Sequence, residues 1–156
     1  MKIFVSHSLV DKELLESIQK TLSASGMQLL IAEHILELNV TISEKIKRMI
    51  NLCDVGLVLL TRNGINSHFI SEEIGYLEAK SKLIIRVIEK GYTSQYSGFK
   101  YGMDFIELDT LDPNKAINLI TDILIKHKNQ LMITNRNAVL FALAVVFLLS
   151  NSSPEN

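Results

Sequence analysis

The feature that most constrains the fold is an alternation between short apolar runs and longer segments with helical periodicity. The clearest apolar run reads DVGLVLL, and an almost unbroken run of this kind is typical of a central strand covered on both faces. Such an alternation predicts parallel strands joined by crossover helices. Strands are expected at Lys2–Ser6, Gln28–Ala32, Asp54–Leu60, Leu83–Ile88 and Asp104–Leu108.

Capping patterns and apolar spacing mark the helices between these strands. We expect one helix opened by Ser8 and Asp11 and ended by Gly26, one opened by a capping box of Thr41 and Glu44, one over Ser67–Lys80, and one opened by Asp112 and Pro113. Surface loops are expected at Glu33–Val40 and Glu89–Tyr101.

The mean hydropathy of +0.23 is high for a chain of this kind, and nearly all of it comes from Ala138–Leu149 (AVLFALAVVFLL). We therefore expect an α/β domain, a polar linker, a hydrophobic C-terminal helix and a disordered tail, at residues 1–128, 129–137, 138–150 and 151–156. The apolar helix has three possible roles, namely membrane insertion through residues 138–149, an oligomer contact, or a core helix. If it inserts, the preceding Lys126, Lys128 and Arg136 would keep the domain cytoplasmic.

Charge and composition exclude several kinds of site. A net charge of −1 gives no overall positive potential that would attract nucleic acid. One cysteine and four scattered histidines show no metal-ligand spacing. The chain has neither GxGxxG nor GxxxxGK[ST], so dinucleotide redox chemistry and P-loop phosphoryl transfer have little support.

Ligands of an open parallel sheet bind beyond the carboxyl ends of its strands, where the strand order reverses. For the order 2-1-3-4-5 this crevice lies between the first and third strands. The segments that reach it are Ser6–Ser8, Thr61–Ser67 and the start of the helix that carries Glu72 and Glu73.

The residues at this crevice resemble those of a known family. Ser67, an aromatic residue two positions later (Phe69) and a glutamate four beyond that (Glu73) match a motif of prokaryotic Toll/interleukin-1 receptor (TIR) domains, and the resemblance runs from about Lys2 to Lys128. It extends to the stand-alone TIR proteins of antiviral defence systems such as Thoeris. The chain departs from the family at Leu38-Asn39, where Pro-Gly is common, at Phe69, where many members have Trp, and at Arg86, where bacterial relatives often have Pro.

The resemblance implies a flavodoxin-like three-layer α/β fold and an NAD⁺ glycohydrolase or ADP-ribosyl cyclase with Glu73 as the catalytic residue. One carboxylate can suffice because the nicotinamide ring is already cationic in NAD⁺ and needs no protonation to leave, unlike the leaving group of an ordinary glycoside. NAD⁺ is then the substrate, with no cofactor and no metal. The residues expected to bind it are Ser6, His7, Ser8, Glu33, Ser67 and Phe69. The expected partners are other copies of the chain, with Glu33–Val40 completing a neighbour's site, and an effector that senses linear or cyclic ADP-ribose.

Other interpretations remain open for the function and for each residue. The domain could be a non-catalytic adaptor that signals through TIR–TIR contacts, or an enzyme similar to nucleoside deoxyribosyltransferases. The simpler structural roles are a solvated helix residue for Glu73, a helix N-cap for Ser8, a solvent-facing loop residue for His7, a core anchor for Phe69 and a small core residue for Cys53.

Overall fold

The five apolar runs form a single parallel sheet in the computed structural model, which describes residues 1–32, 40–97 and 104–150. The strands are β1 (Lys2–Ser6), β2 (Gln28–Ile31), β3 (Val55–Leu60), β4 (Leu83–Glu89) and β5 (Ile106–Leu108). The helices are α1 (Lys12–Ala24), α2 (Ile42–Leu52), α3 (His68–Ala79), α4 (Thr93–Ser97) and α5 (Asn114–Ser150).

The strand order is β2-β1-β3-β4-β5, with every described pairing parallel. Ile3 pairs with Leu29 on one side and Val55 on the other, so β1 lies inside the sheet. The predicted order and the flavodoxin-like α/β architecture are both confirmed.

The hydrophobic core lies on both sides of β3, all six residues of which are buried. Because side chains alternate across a strand, Val58 and Leu60 face one side, where they join Phe4 and buried residues of α2 and α3. On the opposite side the buried side chains belong to Ile3, Val5, Leu57 and Leu59. Right-handed crossovers place α1 on that second side.

One helix prediction holds in detail and another does not. Thr41 and Glu44 form the predicted capping box of α2. Helix α1, however, begins at Lys12 with Asp11 as its N-cap, so the prediction that Ser8 opens the helix is wrong. The Asp11 side chain does not cap the helix, because its carboxylate accepts hydrogen bonds from the loop after β3.

The region after β4 also differs from its prediction. A short helix, α4, lies within the segment expected to be a loop, and Glu89 still belongs to the strand. The predicted loop Glu33–Val40 lies outside the described residues except for its last residue, and the predicted disordered tail at 151–156 lies outside them entirely.

Helix α5 runs without interruption through residues 129–137, where a polar linker was predicted. Its residues belong to two compact units, the first covering Met1–Thr121 and the second beginning at Asp122. In the first unit, α5 buries Ala116, Ile117 and Ile120. Insertion of residues 138–149 into a membrane was one of the predicted roles. In the part of the chain that the structure describes, no helix combines the length and apolar character needed to cross a bilayer.

Candidate active site

A cleft of about 380 Å³ opens at the carboxyl ends of β1 and β3, the place predicted from the strand order. Its walls come from the loops after β1, β2 and β3 and from the first two turns of α2 and α3. The structure brings together five of the predicted site residues in its lining, which are His7, Ser8, Ser67, Phe69 and Glu73.

Helix α3 holds Glu73 at the cleft. Ser67 caps the helix, as its hydroxyl oxygen accepts a hydrogen bond from the Ile70 backbone N–H at 3.4 Å. The helix packs closely on β3 because Gly56 has no side chain, and a Cβ built there would lie 2.6 Å from Cδ1 of the buried Leu77. This packing fixes the depth at which the Glu73 side chain enters the cleft.

The Glu73 carboxylate is largely removed from water yet lines an open cavity. Burial raises its pKa above the ordinary value of 4.5, the hydrogen bond from Ser6 acts in the opposite direction, and the nearby charge of Glu72 adds to the increase. A carboxylate in such an environment interacts strongly with a positive charge that develops beside it.

Ser6 lies behind Glu73 instead of in the cleft lining. Its side chain is 1% exposed, and its hydroxyl donates a hydrogen bond to Oε2 of Glu73. Ser8 and His7 do line the cleft, and both are half-buried. The Ser8 hydroxyl accepts a hydrogen bond from the Val10 backbone N–H at 3.4 Å.

The loop after β3 is anchored from its two sides. On one side the Asp11 carboxylate accepts hydrogen bonds from the Thr61 hydroxyl at 2.6 Å and from the Asn63 side-chain amide at 2.7 Å. On the other side the buried Glu89 carboxylate accepts from the Arg62 backbone N–H at 2.7 Å and from its Nε at 2.9 Å. These contacts set the position from which α3 starts.

Phe69 is 72% exposed and lines the cleft, so the interpretation of Phe69 as a core anchor is wrong. Phe69 and Glu73 also border a smaller cavity of about 140 Å³ between α2 and α3.

Cys53 is buried, as predicted for a core residue. Glu33, a predicted substrate-binding residue, lies outside the described residues.

Sequence reasoning did not identify Asn63, Ile42 or Ile46 as lining residues of the cleft. Asn63 lies on a loop that the strand order already placed at the crevice, so a polar residue at that position was the available signal. Within the described ranges, no three His, Cys, Asp or Glu side chains are grouped in a way that could hold a metal ion.

Residues 3–124 match the family model described as TIR domain. The chain belongs to the TIR domain family. No curated protein matches the chain in sequence.

Solved structures similar to this TIR domain agree with that assignment at the level of the fold. The TIR domain of the Toll-related receptor TRR-2 from Hydra magnipapillata is 15% identical, with a TM-score of 0.57 over 78% of this chain and 96% of that one. A prokaryotic SEFIR domain is also 15% identical, with a TM-score of 0.52 over the same shares of the two chains. The CMP N-glycosidase BcmB of Clostridium botulinum is 15% identical, with a TM-score of 0.55 over 77% of this chain and 98% of that one.

Proposed function

We propose that this TIR domain cleaves the bond between nicotinamide and ribose in NAD⁺, with Glu73 as its catalytic residue. The observation that carries the proposal is the Glu73 carboxylate, which is desolvated, held by one hydroxyl and exposed to the cleft. The family motif places a glutamate at the same position.

The reaction needs little acid–base chemistry from the protein. The C1′–N bond breaks, the electron pair goes to the ring nitrogen, and neutral nicotinamide leaves while positive charge develops on the ribose. The Glu73 carboxylate would stabilise that charge at close range in a site of low dielectric constant. Water then adds at C1′ and releases a proton, which gives ADP-ribose. Attack by an adenine nitrogen of the same molecule gives a cyclic isomer instead.

The other cleft residues suit a nucleotide. Ser8, Asn63 and His7 offer polar groups in the lining, and the exposed Phe69 ring offers an apolar face. A cleft of this size lies within the usual range for small-molecule sites. Ser67 is occupied as the N-cap of α3, and its main contribution would be to orient the helix that carries Glu73.

Release of nicotinamide from NAD⁺ by the purified chain tests the proposal. The assay compares wild type with Glu73→Gln and with the matched control Glu72→Gln, which changes the adjacent, exposed carboxylate. We expect Glu73→Gln to lower turnover by roughly 100-fold or more, and Glu72→Gln to retain most of it. The protein concentration is varied, because the family resemblance implies activity in assembled copies.

Two outcomes would contradict the proposal, namely no turnover by wild type at any concentration and equal turnover by Glu73→Gln. CMP and deoxynucleosides serve as comparison substrates. The likeness to a CMP N-glycosidase concerns the fold alone, so faster release of cytosine than of nicotinamide would replace the proposed substrate. Mass analysis of the product distinguishes linear from cyclic ADP-ribose.

A further inference from the structure

Ser6 occupies a place in the sheet where an apolar residue would be expected. It is the last residue of β1, it pairs in register with Val58 of β3, and it is 1% exposed. Phe4, two positions earlier on the same face of the strand, packs into the core against α2 and α3. A hydroxyl at Ser6 therefore contributes little to packing, and burying it without a partner would cost free energy.

The partner of this hydroxyl is the proposed catalytic carboxylate. Ser6 donates to Oε2 of Glu73, a residue 67 positions further along the chain. Within residues 1–32, 40–97 and 104–150, no other hydrogen bond to the Glu73 carboxylate is found. Oε1 is thus the oxygen that remains for a ligand in the cleft.

The other two hydroxyls near the site have different partners. The Ser67 hydroxyl accepts from the Ile70 backbone N–H, and the Ser8 hydroxyl accepts from the Val10 backbone N–H. Both of these residues line the cleft, whereas Ser6 does not. Position and partner therefore separate Ser6 from the residues that would touch a substrate.

We propose that Ser6 is a positioning residue, which holds one oxygen of the Glu73 carboxylate so that the other faces the ribose of the substrate. The inference deepens the proposed function and rests on it. Because β1 lies inside the sheet, its backbone fixes the hydroxyl, and the hydroxyl in turn limits the rotamers of Glu73. Preorganised charge of this kind avoids the cost of reorienting the carboxylate during the reaction.

The hydrogen bond also affects the charge of the carboxylate. Burial raises the pKa of Glu73, and the Ser6 hydroxyl opposes that increase by stabilising the ionised form. The other titratable groups near the carboxylate are Glu72 on the same helix, Lys47 across the smaller cavity and His7 on the loop after β1.

The first test follows the NMR chemical shift of the Glu73 carboxyl carbon as a function of pH in wild type, Ser6→Ala and Ser6→Thr. The signal is assigned by its loss in Glu73→Gln. Removing the hydroxyl should raise the Glu73 pKa, whereas threonine, which keeps the hydroxyl, should leave it near the wild-type value. An unchanged titration in Ser6→Ala overturns the proposal. This measurement needs no turnover, so it gives an answer even if the chain does not act on NAD⁺.

The second test is steady-state kinetics with NAD⁺. Loss of a hydrogen bond to a charged group predicts a decrease in kcat of roughly 10- to 100-fold for Ser6→Ala. KM should change far less, because Ser6 does not line the cleft, and Ser6→Thr should recover most of the activity. A rise in KM with unchanged kcat would instead make Ser6 a substrate contact and overturn its positioning role.

The thermal unfolding midpoint of each variant is measured as a control for correct folding. Ser6→Cys keeps the side-chain volume with a weaker donor and should give an intermediate pKa and an intermediate kcat. It replaces Ser6→Ala if the alanine variant does not fold. Equal behaviour of Ser6→Cys and wild type in both measurements would contradict the proposal. Absence of Glu73-dependent nicotinamide release in wild type would contradict the proposed function while leaving the titration readable.

Discussion

Glu73 is partly buried and Glu89 is buried, and the two carboxylates have different surroundings. Glu89, at the end of β4, is 4% exposed and has partners at both oxygens, since Arg62 supplies its backbone N–H, its Nε and a second guanidinium nitrogen. Glu73, on α3, receives one described hydrogen bond and faces a cleft. The comparison teaches that burial alone does not mark an active carboxylate, because the partners decide whether its charge is available for chemistry.

The largest stability effect that would sharpen this comparison is expected for Glu89→Ala. The change removes three contacts to Arg62, but the Arg62 side chain is 59% exposed, which reduces the effect of the ion pair. We expect a loss of about 2 kcal/mol in the free energy of unfolding, with most of the turnover per folded molecule retained.

Urea unfolding of Glu89→Ala measures this loss. Asp109→Asn is its matched control, since Asp109 pairs with Lys90 on the exposed surface, and its unfolding midpoint should not change measurably. A Glu89→Ala variant as stable as wild type would contradict a structural role for Glu89. A variant that folds fully but has lost all turnover would contradict the assignment of the catalytic role to Glu73 and not to Glu89.

A smaller effect on stability is expected for Asp11→Ala, which removes the acceptor of both Thr61 and Asn63. The Thr61 hydroxyl, on a residue 2% exposed, is then left without its partner, and we expect a loss of about 1–2 kcal/mol. KM for NAD⁺ should rise, because Asn63 lines the cleft.

Thermal unfolding and steady-state kinetics of Asp11→Ala check both effects. Asp11→Asn, which keeps an oxygen acceptor for Thr61, should recover part of the stability. If Asp11→Ala kept the wild-type KM, the hydrogen bonds from Thr61 and Asn63 to Asp11 would not influence substrate binding in the cleft.

The smallest effect concerns the pH dependence of stability. The folded-state pKa of Glu73 is raised above the ordinary value of 4.5, so the folded protein holds this proton more tightly than the unfolded chain does. The contribution of Glu73 to stability is therefore fully present below about pH 4.5 and is lost as the pH rises through the raised folded-state pKa. Glu73→Gln, which does not titrate, should gain stability relative to wild type as the pH rises through that range.

Unfolding midpoints of wild type and Glu73→Gln across this pH range measure the difference. A difference that is constant with pH, or that favours wild type as pH rises, would show that Glu73 is not desolvated in the folded protein.

Local sequence patterns predicted the elements that depend on neighbouring residues. The apolar runs gave the five strands, and the Thr41 and Glu44 capping box was identified because its two partners are three residues apart. The motif of Ser67, Phe69 and Glu73 lies on one helix, so its members reach the same cleft.

Long-range pairs had no such pattern. Ser6 and Glu73 are 67 residues apart, and Asp11 and Thr61 are 50 apart. Neither contact could therefore be predicted from the sequence, because no local pattern links residues so far apart. The second pair also explains why Asp11, with its carboxylate engaged, does not cap α1 through its side chain.

Two segments have a helical structure that their sequences did not indicate. The segment 129–137, expected to be a polar linker, lies on the continuous helix α5, where exposed polar side chains such as that of Arg136 are tolerated. The five residues of α4 are too few to show a helical period.

The most direct test of the central claim is a side-by-side measurement of nicotinamide release and unfolding midpoint for Glu73→Gln and Glu89→Ala. The difference between the two carboxylates predicts that Glu73→Gln loses turnover by roughly 100-fold or more while its midpoint is kept or raised. Glu89→Ala should show the reverse, a lower midpoint with turnover per folded molecule largely retained. Equal turnover in Glu73→Gln and wild type would contradict the assignment of Glu73 as the catalytic carboxylate.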